Sequence, residues 1–136
     1  MRVFLCSYGI FSLAIPMDFV SSIFIFADRI EKKIQHNAED GNTYISLPLV
    51  FNCQQIDVQH GIIMKYGSET EDKIILLSSR IESEKEIMRE YFHPIPKALA
   101  VMQFSYIFSG IFFNAKDMIL LLNPEHLIQH IQKEYK

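Results

Sequence analysis

The segment from Tyr91 to Ile131, "YFHPIPKALAVMQFSYIFSGIFFNAKDMILLLNPEHLIQHI", restricts the fold more than any other part of the chain. Pro94 and Pro96 hold their neighbours in extended backbone, so "HPIPK" is a stiff connector rather than a helix. Two apolar runs of strand length follow, "QFSYIFSGIFF" and "MILLL", joined by the four-residue polar loop "NAKD". Gly110 inside the first run marks a bulge or a close backbone approach. Asn123 is placed to cap a final helix, with Pro124 in its first turn and Glu125 beside the positive end of its dipole. Leu127, Ile128 and Ile131 then form the face that packs down. Ile107 and Leu121 are expected in the core.

The rest of the chain punctuates in the same way. Val3 to Tyr8 and Ile10 to Ile15 read as two short strands with Gly9 at the turn. As a membrane helix this N-terminal run would carry Pro16 and Asp18 near its middle, and as a signal peptide it lacks a strong basic start and a small-residue cleavage site. It is therefore expected to be an uncleaved part of the fold. "MDFVSSIFIF" suits a strand or a helix capped by Asp18, and the charged stretch Ala27 to Asn42 suits a short amphipathic helix or a loop. Thr43 to Phe51 is rich in β-formers, and Pro48 places it at an edge or a bulge. "HGIIMKY" and "DKIILLSSRI" read as strands around the polar turn "GSETED". A break at "ESEKE" leads to a short strand near Ile87.

The totals agree with one folded domain over residues 1–136: 49% of residues are hydrophobic, 21% are charged, and eleven Phe and six Tyr fit pleated surfaces. A formal charge of −3 supplies no basic footprint for nucleic acid. Cys6 and Cys53 have no metal or disulfide spacing, which predicts a reduced cytoplasmic protein with buried structural thiols.

Catalytic signals are sparse. His126 and His130 stand at i and i+4, but Leu127 occupies the place of the Glu in H-E-x-x-H. A solvated helix flank is the better reading, with a metal pair as the alternative. His60 and His93 read as turn and loop residues. Glu82, Glu84 and Glu86 alternate as a solvated edge would, and no phosphate loop or nucleophile elbow occurs. No catalytic residue, cofactor site or metal site is expected, and a non-enzymatic binding domain is the stronger class.

The order of elements resembles the CheW-like domain of bacterial chemotaxis coupling proteins, over almost the whole chain. "FSYIFSGIFFNAKDMILLLNPEHL" is similar to the family ending "Y-I-x-G-x-x-x-x-x-D-x-x-I-L-L-x-x-x-x-L", with Tyr106, Ile107, Gly110, Asp117, Leu120, Leu121 and Leu127 in the matching positions. "HPIPK" is similar to the family's "I-x-P-x-P" connector, and "FLCSYGIFSLAIPMDFVSSI" to its opening, with Val20 and Ile23 in place. The resemblance implies an all-β fold of two interlocked five-stranded SH3-like barrels with a short C-terminal helix. It also implies a scaffold without catalytic activity, docking to the regulatory domain of the histidine kinase CheA and to chemoreceptor tips, with no membrane insertion. One motif departs: where the family carries N-L-R-G, this chain has Gly41, Asn42, Thr43 and Tyr44, without the Arg. Leu47, Leu49, Ile62 and Met64 alternate along the middle strands, and are expected either to dock a partner or to lie in the core. An interaction module with another signalling or motility partner is the alternative function.

Overall fold

The structure, a computed structural model, describes residues 1–8, 11–25, 31–51, 58–65, 73–79, 81–97, 105–114 and 117–134. Among these the chain forms β1 (Arg2–Tyr8), β2 (Phe11–Pro16), β3 (Val20–Ile25), β4 (Ile34–His36) and β5 (Thr43–Ser46). The short helix α1 (Leu47–Val50) precedes β6 (His60–Met64), β7 (Ile74–Ser78) and β8 (Ile81–Glu86). β9 (Phe108–Asn114), β10 (Asp117–Leu122) and helix α2 (Pro124–Glu134) follow. The contacts divide the chain into two units, Met1–Met17 with Glu82–Lys136, and Asp18–Ile81. Each contributes one five-stranded sheet.

The first sheet has the order β8-β1-β2-β10-β9. β1 and β2 form the expected hairpin, with Phe4 opposite Ile15 and Cys6 opposite Leu13, and the second strand ends at Pro16. β2 also pairs in parallel with β10, setting Leu13 beside Leu120. Both faces of these strands are closed. Phe4, Cys6, Leu13, Ile15 and Leu120 are buried along one face, and Val3, Leu5, Ala14, Ile119 and Leu121 along the other, where Ile87 joins them. Strands buried on both sides read as unbroken apolar runs, which is why this N-terminus looks superficially like a membrane segment.

The closing segment folds as its residues dictate. Asn114 pairs with Asp117, so the turn is tighter than a four-residue loop. The ladder shifts register between Leu121 and Leu122, and a Cβ on Gly110 would lie 3.1 Å from the His93 carbonyl oxygen and 3.1 Å from Phe92 Cβ, so both a bulge and a close approach occur there. His93 exchanges backbone hydrogen bonds with Ile111, holding the proline connector along β9. The Asn123 side chain accepts from His126 N at 3.2 Å, capping α2, whose Leu127, Ile128 and Ile131 are buried.

The second sheet has the order β3-β6-β7-β5-β4. One open reading is decided here, and three expectations are corrected here and in β8. "MDFVSSIFIF" resolves into a 3-10 turn, Met17–Phe19, and a strand, because Ile23 and Phe24 pair with Ile62 and Gly61. No helix forms over residues 31–42, since Ile34 instead pairs with Ile45 to add β4 to the sheet. The strand over Thr43 to Phe51 stops at Ser46, and Pro48 enters the first turn of α1, where its missing N–H costs nothing. The strand near Ile87 is displaced: "IESEKE" is itself β8, an edge strand with Glu82, Glu84 and Glu86 exposed, and Ile87 turns into the core after it. The turn "GSETED", Gly9, Ile10, Ala27 and Cys53 lie outside the described residues.

Ile107 is fully buried and Leu121 is 9% exposed. Replacing either with Ala should cost about 2–5 kcal/mol of unfolding free energy. Urea denaturation checks this, and a loss below about 0.5 kcal/mol at both positions contradicts the packing described.

Candidate docking surface

The segment standing where the family motif would be is a turn whose polar groups satisfy one another. β4 and β5 are joined by residues 37–42, with Gly41 N donating to Asn37 O at 2.8 Å and Asn37 N to Asn42 O at 2.9 Å. Gly41 has φ 74°, a left-handed conformation that glycine adopts without strain. The Asn37 side chain accepts from Glu39 N, and Asp40 Oδ1 from Asn42 N, each at 2.9 Å. Asn42 Oδ1 accepts from Lys73 N at 3.0 Å, and Thr43 N donates to the Lys73 carbonyl at 2.8 Å, fastening the turn to the start of β7. Thr43 Oγ1 sits 3.3 Å from His36 Nδ1. At the position of the family's Arg there is thus a short hydroxyl engaged with its own hairpin, with no cationic fork for a carboxylate.

Asp40 also accepts from the Tyr44 hydroxyl at 2.7 Å. That bond, followed by the Asn42 backbone bond, holds the Asp40 carboxyl below the usual aspartate range, since both favour the charged form.

The expected partner-contact residues divide unevenly. Leu47 and Ile62 are fully buried and Met64 is 4% exposed, so these three are core residues with no surface to offer a partner. Leu49 is half-buried, carried by α1. For Leu47 and Leu49 the physical reason is α1, whose turn of helix breaks the strand alternation, whereas Ile62 and Met64 alternate along β6 onto a face that is closed.

Other apolar groups are more exposed. Tyr91 stacks on Phe112 at 5.7 Å and 17°, with Phe92 edge-on to the same ring at 5.8 Å. Tyr91 and the nearby Met88 are 51% and 48% exposed. The sequence signal for this patch was the Tyr-Phe pair before the prolines, which reads as connector until Phe92 is seen packing on the sheet.

Of the four histidines singled out in the sequence, His126 and His130 bond the turn before β9 through their rings. His126 Nδ1 donates to the Tyr106 carbonyl at 2.8 Å, and His130 Nδ1 shares a hydrogen bond with the Tyr106 hydroxyl. The two rings therefore fasten α2 to the 3-10 turn Ser105–Ile107. His93 contributes its backbone, and His60 opens β6 with Nδ1 buried. Among the described residues no three His, Cys, Asp or Glu side chains are grouped to hold a metal ion, and Cys6 is buried. No described helix is long and apolar enough to cross a membrane.

The chain is similar in structure to the scaffolding protein TtCheW from Thermoanaerobacter tengcongensis, with a TM-score of 0.67 and 14% sequence identity over 89% of this chain and 82% of that one. The fold is that of a CheW scaffold. Its two five-stranded sheets are of the SH3-like barrel kind, with one short helix at the C-terminal end, as the sequence led us to expect. No protein-family model and no curated relative matches the chain.

Replacing Tyr44 with Phe removes the largest cause of the Asp40 shift, so the Asp40 pKa should rise toward the ordinary aspartate value. A folded-state pKa below the unfolded one stabilises above the ordinary aspartate range, and that contribution fades as pH falls through the lowered folded pKa. Side-chain carboxyl NMR titration of both proteins checks it; an unmoved Asp40 contradicts the assigned cause.

Proposed function

We propose that this chain is a non-catalytic adaptor of a chemosensory assembly that docks to the regulatory domain of the histidine kinase CheA. The observation that carries this reading is the likeness to a CheW scaffold across 89% of the chain, in a fold whose work is docking rather than chemistry. The polar clusters support it, because the His126–Tyr106–His130 contacts and the 37–44 turn each hold the chain's own backbone in place. Such groups organise a surface and leave no activated nucleophile or base.

Within this reading Leu49 is the residue of the expected four that reaches a partner, since it alone keeps exposed apolar surface. Interfaces concentrate their affinity in a few well-packed apolar contacts. Coupling to receptor tips is weakened, because Thr43 presents a hydroxyl committed to His36 in place of a guanidinium. The protein then acts as an accessory subunit that holds the kinase and couples receptors poorly.

Calorimetric titration of the purified chain against the kinase regulatory domain and a receptor cytoplasmic tip tests this. Kinase binding should be at least about tenfold tighter than receptor binding, a difference of roughly 1.4 kcal/mol. Leu49→Asp should weaken the kinase complex by a similar factor while leaving the melting temperature of the free protein within a few degrees. Tight receptor binding without kinase binding reverses the assignment. Binding to neither overturns the kinase-docking reading.

A further inference from the structure

We draw no further inference here: the strongest candidate, the exposed apolar patch that Met88 and Tyr91 form beside Phe112 of β9, carries nothing because no feature of the described residues shows what covers it.

Discussion

The first sheet depends on the parallel pairing of β2 with β10, in which Leu13 lies beside Leu120 and Ala14 beside Leu121. Parallel neighbours cannot be joined by a tight turn, and here the connection runs through more than half the chain. The unit Asp18–Ile81 lies within that excursion. β2 therefore has no second neighbour until the closing hairpin arrives, and the core residues Leu13, Ile15 and Leu120 belong to segments distant in sequence. Pairings of such separation are slow to form, because loop entropy is lost before the contacts that compensate it exist. The second sheet repeats the device. The β6–β7 hairpin meets the β4–β5 hairpin through a parallel contact of β5 with β7, where Ile45 lies beside Leu76.

Among the described connections, two groups of polar side chains hold the chain's own backbone in place. Asn37, Asp40, Asn42 and Thr43 close the β4–β5 connection within the hairpin and onto Lys73. His126 and His130 fasten α2 to the turn before β9. A surface arranged this way is pre-organised, so a partner that docks on it orders few further groups.

In the first sheet β1, β2, β9 and β10 were legible because their signals were local: apolar runs of strand length, the Pro94–Pro96 connector, and the Asn123–Pro124–Glu125 start of α2. Gly110 was legible too, as a small residue in a strand where a backbone passes close. The misread segments share a different cause. Ile34 and Thr43 to Phe51 have their state decided by pairing across the sheet and by Pro48 settling into a helical turn, neither of which spacing reveals. The same helical turn hid the surface. Leu47 and Leu49 alternate in sequence as strand neighbours on one face would, yet on α1 one is closed and the other half-open. For β8 the residue pattern of glutamates was read correctly as an edge, while its boundary was placed too late, since alternating charge is itself compatible with a strand that has only one dry side.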